Sequence, residues 1–248
     1  SRTLVQFGAG NIGRGFLAPL FTAAGWRVVF VDIDRPRIAA LHERGAYQVD
    51  EVTNETRHQR HVAPVDGILA SDAEAVATTI AAADLVATAV GLGALPHIGA
   101  AIAAGLARRS TPLDVLVCEN GIQAPDILRQ AIATALDDET ALDRLGLVRT
   151  SIGRMIPPPP ADADLLDIVV EPYAKLPVEA TAFRGTAPTS VPGLHLAEDF
   201  ELVLRQKLYL HNLSHACAAY AGRVVVTPRG RHIWLITVAI WRWFSDVL

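Results

Sequence analysis

Through the first 150 residues, short apolar runs alternate with stretches of helical periodicity. Leu4-Val5-Gln6-Phe7 has the size of a buried strand, and Ile12 to Ala24 sets Ile12, Phe16, Leu20 and Phe21 at helical spacing. Arg27 to Val31 reads as a second strand ending in Asp32. Pro36 to Arg44 predicts a helix with proline in its first turn. Tyr47 to Val52 and Arg57 to Val62 alternate around Thr53-Asn54-Glu55, the pattern of a polar hairpin. Asp72 to Ala82 reads as a helix with Ser71 as its N-cap and Glu74 at capping-box spacing. Strands are then expected over Leu85 to Val90, Leu113 to Cys118 and Leu147 to Ile152, with helices over Leu95 to Arg108 and Ile127 to Leu136. Such an order predicts an α/β fold, a Rossmann-like doubly wound parallel sheet.

The pattern changes at Pro157 to Pro160, four prolines that favour an extended segment and mark a candidate hinge. Strand-like runs follow at Asp167 to Glu171 and Val178 to Phe183, then turns around Pro188 and Pro192-Gly193. From Leu196 to Tyr220 the period is helical again. Two domains are therefore expected: residues 1–195 as the sheet domain and residues 196–248 as a helical region.

The first strand and helix are joined by Phe7-Gly8-Ala9-Gly10-Asn11-Ile12-Gly13-Arg14-Gly15-Phe16. Gly8 permits a tight turn, Gly10 lets backbone approach phosphates, and Gly13 lets helix and strand pack closely. Free N–H groups of Asn11, Ile12 and Gly13 at the helix's positive end suit a pyrophosphate. Asp32, nineteen residues past Gly13, can bond both ribose hydroxyls and repels a 2′-phosphate, which selects NAD over NADP. Arg35 and Arg37 follow it and are read as solvated helix-surface charges. Arg14 either faces the phosphates or closes a salt bridge. Val90-Gly91 and Asn120 also fall at the carboxyl ends of strands, where ligands of such sheets gather.

Composition narrows the partners. The net charge is −4 and no Lys/Arg-rich run occurs, which argues against nucleic acid and anionic membranes. The two cysteines, Cys118 and Cys217, sit in apolar surroundings and read as buried thiols of a reducing compartment. His58 and His61, three apart on the hairpin with no acid ligand nearby, do not read as a metal site. With no leader before the first strand, and Ile233 to Trp241 too short to span a bilayer, the cytoplasm is the expected location.

The late helix carries Lys207-Leu-Tyr-Leu-His211-Asn212-Leu-Ser-His215. At about 100° per residue, Asn212 and His215 lie about 140° and about 80° around from Lys207. Alcohol oxidation requires a base for the hydroxyl proton, and a lysine serves when burial lowers its pKa towards neutrality. The bland alternative for Lys207 is a snorkelling surface lysine, and His211 competes with His215.

Phe7 to Phe16, Tyr47-Gln48-Val49, Thr88-Ala89-Val90-Gly91, Cys118-Glu119-Asn120 and Lys207-x4-Asn212-x2-His215-Ala216 together resemble the polyol-specific long-chain dehydrogenases. Among them, the Gly-Asn-Ile-Gly-Arg-Gly turn is similar to that of the mannitol-1-phosphate 5-dehydrogenases. The resemblance runs in order from residue 3 to about Gly222. It implies Lys207 as general base, Asn212 and Asn120 as the pair stabilising the alkoxide, and His215 on a substrate hydroxyl. It also implies catalysis without a metal, and oxidation of D-mannitol 1-phosphate by NAD⁺ to fructose 6-phosphate. Family members continue into a large helical substrate domain, whereas residues 223–248 depart from the pattern and carry Trp234, Trp241 and Trp243. A truncated helical domain is therefore expected, with self-association through its apolar run if exposed. Two alternatives stand beside this reading: a related polyol or uronate dehydrogenase, and an NAD-binding remnant with impaired catalysis.

Overall fold

The computed structural model describes residues 2–53, 55–154, 156, 163–207, 209 and 213. The chain divides into two units, residues 1–198 and 199–248. In the first, near-continuous Val/Leu/Phe runs form strands buried on both faces, as a parallel sheet demands. They are β1 (Thr3–Phe7), β2 (Arg27–Asp32), β5 (Val65–Leu69), β6 (Leu85–Thr88), β7 (Leu113–Val117) and β8 (Leu145–Arg149). Their order across the sheet is β5-β2-β1-β6-β7-β8, all neighbours parallel. The order reverses between β1 and β6, so the topological switch point lies at their carboxyl ends.

Alternation along each strand divides the core in two. Val5, Phe7, Val31, Val86, Val115 and Val117 face one layer, built from α3 (Ala73–Ala82), α4 (Leu95–Ala107) and α5 (Ala124–Ala135). Leu4, Val28, Phe30, Leu85, Ala87 and Leu116 face the other. That layer holds a π-helical turn (Gly13–Leu17), α1 (Ala18–Ala23) and α2 (Arg35–Arg44). It also holds the hairpin of β3 (Tyr47–Val52) and β4 (Arg57–Val62), extended by β9 (Ile168–Val170) parallel to β3. A parallel pair, β10 (Leu176–Glu179) and β11 (Leu194–Ala197), completes it. Phe16 and Phe21 are wholly buried here; removing such a side chain from water stabilises the fold by about 1.5–3 kcal/mol.

Several expectations need correction. The helix after the glycine turn opens as a π-turn over Gly13–Leu17 before α1. A Cβ on Gly15 would lie 2.9 Å from Ile156 Cδ1 and 3.0 Å from Val170 Cγ1, so the chain packs closely where it crosses β9. The N-cap of α3 is Asp72, whose carboxylate accepts the Ala75 N–H at 3.1 Å; Ser71 does not cap it, and Glu74 instead pairs with Arg108. β8 begins two residues earlier than expected and ends at Arg149. Leu196 and Ala197 end the strand β11 rather than starting a helix, because β10 offers them a parallel partner.

The second unit is described through α6 (Phe200–Gln206) and residues 207, 209 and 213. Asp199 caps α6 by accepting the Leu202 N–H at 3.1 Å. The candidate hinge at 157–160 and the whole tryptophan-rich end, residues 223–248, lie outside the described residues.

Candidate functional site

The glycine turn follows β1 directly. Gly8 has φ +92°, and a Cβ there would fall 2.4 Å from the Ala89 carbonyl oxygen. A Cβ on Gly13 would fall 2.2 Å from the Gly8 carbonyl oxygen, so the turn closes only with glycine at both positions. Gly10 differs: nothing lies within 4 Å of where its Cβ would be. The space in front of Gly10 is therefore open, where a phosphate would approach the backbone. Asn11 is exposed and Ile12 half-buried as the chain enters the helix.

Asp32 ends β2 beside this turn. Its Oδ2 accepts the Ala9 N–H at 2.6 Å and its Oδ1 accepts the Asp34 N–H at 3.0 Å. One carboxylate thus ties the glycine turn to the start of α2. Arg37 is drawn into an ion pair with Asp34 at 2.7 Å rather than left solvated, while Arg35 is exposed. Arg14 fulfils neither of its expected roles. It is buried, and its guanidinium donates to the carbonyls of Ala9 and Leu166 beneath the turn. Burial lowers its pKa.

Two buried polar residues under the sheet edge escaped the sequence reading. Gln6 Nε2 donates to the Phe7 carbonyl at 2.7 Å, and its Oε1 has no hydrogen-bond partner among the described residues. Glu119 lies two residues past β7, with Oε2 accepting the Thr88 hydroxyl at 2.6 Å and Oε1 accepting the Val90 N–H at 3.0 Å. Burial pushes its carboxyl pKa up, against these donors and the Gly91 N–H, which pull it down. Gln6 interrupts the apolar run of β1, and Glu119 stands in the Cys118-Glu119-Asn120 motif, where the sequence alone assigns it no role. Val90 is half-buried and Gly91, at φ +86°, is exposed, with open space where a Cβ would be. Asn120 is exposed at the end of β7, next to Glu119.

The carboxyl edge of the sheet therefore brings together Gly8, Gly10, Gly13, Asp32, Val90, Gly91 and Asn120 on both sides of the switch point. An anion is served there by backbone N–H groups, and a diol by the Asp32 carboxylate. Cys118 is a buried free thiol whose pKa burial raises, so it is no nucleophile at neutral pH. Among the described residues no group of three His, Cys, Asp or Glu is placed to hold a metal, and no helix is long and apolar enough to cross a membrane. In the second unit, Lys207 follows α6 and is half-buried, and desolvation lowers its pKa. Asn212, His215 and His211 lie outside the described residues.

Residues 2–190 match the family model for the mannitol dehydrogenase Rossmann domain. A mannitol-1-phosphate 5-dehydrogenase of Shouchella clausii is 40% identical over 224 residues, covering 88% of this chain and 59% of that protein. One of Brevibacillus brevis is 37% identical over 225 residues, covering 88% and 58%. The chain thus spans less than two thirds of the length of these relatives. Among solved structures, Pseudomonas fluorescens mannitol 2-dehydrogenase in ternary complex with NAD and D-mannitol has a TM-score of 0.74 at 18% identity, covering 89% of this chain and 58% of that one. A substrate-free D-sorbitol dehydrogenase has a TM-score of 0.76 at 21% identity, covering 90% and 59%. With the matched model spanning most of its length and its glycine turn, sheet order and acidic β2 terminus all in place, the chain belongs to the mannitol dehydrogenase family.

Proposed function

We propose that this chain carries the NAD-binding part of a mannitol-1-phosphate 5-dehydrogenase, which interconverts D-mannitol 1-phosphate and D-fructose 6-phosphate. The observation that carries the cofactor reading is the pair of Gly10 and Asp32. Gly10 faces open space at the switch point, and Asp32 stands one strand away with its carboxylate fixed by two N–H groups. The residues present fit a dinucleotide: Gly8, Gly10, Asn11, Ile12 and Gly13 for the pyrophosphate, Asp32 for the adenosine ribose, Val90 and Gly91 for the far half. NAD⁺, when bound, supplies the hydride acceptor.

The chemistry assigned to the chain's own residues rests on the motif resemblance and on the relatives' names. Lys207 takes the substrate hydroxyl proton, and its lowered pKa is the direction a base needs. Asn120 and Asn212 donate amide N–H groups to the developing alkoxide, and His215 bonds a substrate hydroxyl. The decisive assay follows NADH formation from D-mannitol 1-phosphate with the full chain. Lys207→Ala should lower kcat by about 10²–10⁴-fold, the usual worth of a general base, and leave NADH affinity unchanged. Normal turnover by that variant removes Lys207 from the role. A preference for unphosphorylated mannitol or a uronate redirects the substrate within the family.

The same assay has a competing outcome, dinucleotide binding without polyol turnover: NADH binding by calorimetry, with no NADH formed from any polyol or polyol phosphate, selects it.

A further inference from the structure

Two carboxylates sit at the carboxyl edge of the sheet, and the proposed function uses only one. Glu119 is buried two residues past the end of β7, and its carboxylate accepts from Thr88 and Val90 in the turn that follows β6. We propose that Glu119 is a positioning residue for the nicotinamide half of the dinucleotide, holding the Thr88–Gly91 turn in the shape that receives it. This inference rests on the dinucleotide reading above.

The geometry argues it step by step. Thr88, the last residue of β6, is wholly buried and gives its hydroxyl hydrogen to Glu119 Oε2. Its carbonyl accepts the Cys118 N–H at 3.0 Å, which closes β6 onto β7. The next residue, Ala89, donates its N–H to Phe7 at 2.9 Å, closing β6 onto β1. Val90 then turns out of the sheet, and its N–H has no strand to bond. Glu119 Oε1 supplies the acceptor. Gly91 follows at φ +86° with open space before it. One buried carboxylate therefore fixes both the last strand hydroxyl and the first loop N–H, and the direction in which Gly91 leaves.

The strand order says which half of the ligand this turn meets. A dinucleotide lies across the switch point with its pyrophosphate on the glycine turn. Asp32 on β2 marks the adenosine side, so the other half extends over β6 and β7, towards Val90, Gly91 and Asn120. The bonds of the Glu119 carboxylate to Thr88 and Val90 lie on that side. Removing its carboxylate leaves the Val90 N–H and Thr88 hydroxyl without their acceptor, and the glycine turn keeps all of its own bonds.

The test compares two ligands on the full chain. ADP-ribose reports the adenosine half and pyrophosphate; NADH adds the nicotinamide half. Glu119→Ala should weaken NADH by about tenfold or more, the scale of a lost charge-assisted hydrogen bond, with ADP-ribose affinity held within about twofold. Glu119→Gln should recover most of the lost affinity, because its amide oxygen can accept from Val90 and its NH₂ can donate to the Thr88 hydroxyl oxygen. Equal weakening of both ligands makes Glu119 a general prop of the fold and overturns the proposal. No change in either ligand also overturns it, as does a Gln variant as impaired as Ala. Should the Ala variant fail to fold, Thr88→Val removes one of the two contacts, and a selective loss of NADH is again required. Wild-type protein that binds neither ligand overturns the dinucleotide reading itself, and this inference with it. Binding of both by the wild type, with no selective loss in the variants, overturns the inference alone.

Discussion

The two sides of the switch point solve one problem by opposite means. On the β1–β2 side the binding surface is made by leaving side chains out: Gly8 and Gly13 interlock because neither has a Cβ, and Gly10 leaves space empty. On the β6–β7 side it is made by putting a side chain in, the buried Glu119 that accepts from Thr88 and Val90. A backbone turn built from glycine is rigid by sterics and cheap in desolvation. A turn built on a buried carboxyl is held by hydrogen bonds whose donors cannot be left unmet. The first is intolerant of added volume; the second is intolerant of a lost acceptor.

That contrast breaks most sharply at the glycines. Gly13→Ala forces a Cβ to within 2.2 Å of a backbone carbonyl oxygen that has no flexible way to retreat. The expected result is a loss of about 1–3 kcal/mol of stability or more, with NADH and ADP-ribose binding both reduced beyond detection. Gly10→Ala has nothing to strike within the protein, so thermal unfolding should be unchanged while both ligands are lost to the same degree. Thermal melts and titrations on the two variants separate a glycine the fold needs from one only the ligand needs. An equal melting loss in both, or a Gly10→Ala protein that binds normally, breaks the account of the turn.

Asp32 is a smaller lever on the same side. Asp32→Ser removes the acceptor of the Ala9 and Asp34 N–H groups and the charge that opposes a 2′-phosphate. Both NADH and ADP-ribose should weaken by about tenfold, the scale of one charge-assisted hydrogen bond, and the preference for NADH over NADPH should narrow. Titration with the three ligands reads it. The parallel loss contrasts with the selective loss expected at Glu119, and an Asp32→Ser protein that loses NADH alone would erase the division of the site into halves.

The same difference explains how much was legible from residues alone. Glycines at Gly8, Gly10 and Gly13 followed by Asp32 are a local pattern, and the strand and turn around them read correctly from spacing, as did the helix apart from its π-helical turn. The β3–β4 hairpin was legible for the same reason, with Tyr47–Val52 and Arg57–Val62 paired as expected. What escaped is non-local. Residues 194–197 form a strand only because β10 lies beside them. β8 starts at Leu145 because Gly146 makes room for Asp114, whose Oδ1 would lie 2.0 Å from a Cβ there; the carboxylate then accepts the Arg184 and Gly185 N–H groups. A glycine in a strand pattern reads as a break until its neighbour is known. Glu119 escaped likewise, since a buried acid beside Asn120 shows its purpose only once Thr88 and Val90, some thirty residues earlier, are in contact. At the start of α3 the competition was local, and Asp72 outdid Ser71 as a cap by one position.

The smallest effect serves as the control for the rest. Glu74 on α3 pairs with Arg108, the residue that follows α4, so the contact joins two helices of one layer. Arg108 donates to both carboxylate oxygens at 2.8 Å and holds the Glu74 pKa at about 2, below the usual 4.5. A depressed carboxylate contributes stability above its unfolded pKa and loses it as the pH falls through its folded one. The contribution of this pair should therefore be complete above about pH 4.5 and gone near pH 2. Because the pair is exposed, the difference in melting temperature between wild type and Glu74→Gln should be slight at neutral pH, shrink with salt, and vanish by pH 2. Titrations of this variant should match the wild type for NADH and ADP-ribose alike. If so, a small loss of stability does not by itself disturb either half of the site, and the binding losses expected at Gly10 and Glu119 report local geometry. A Glu74→Gln protein that loses NADH would instead mean that the site is coupled to these helices.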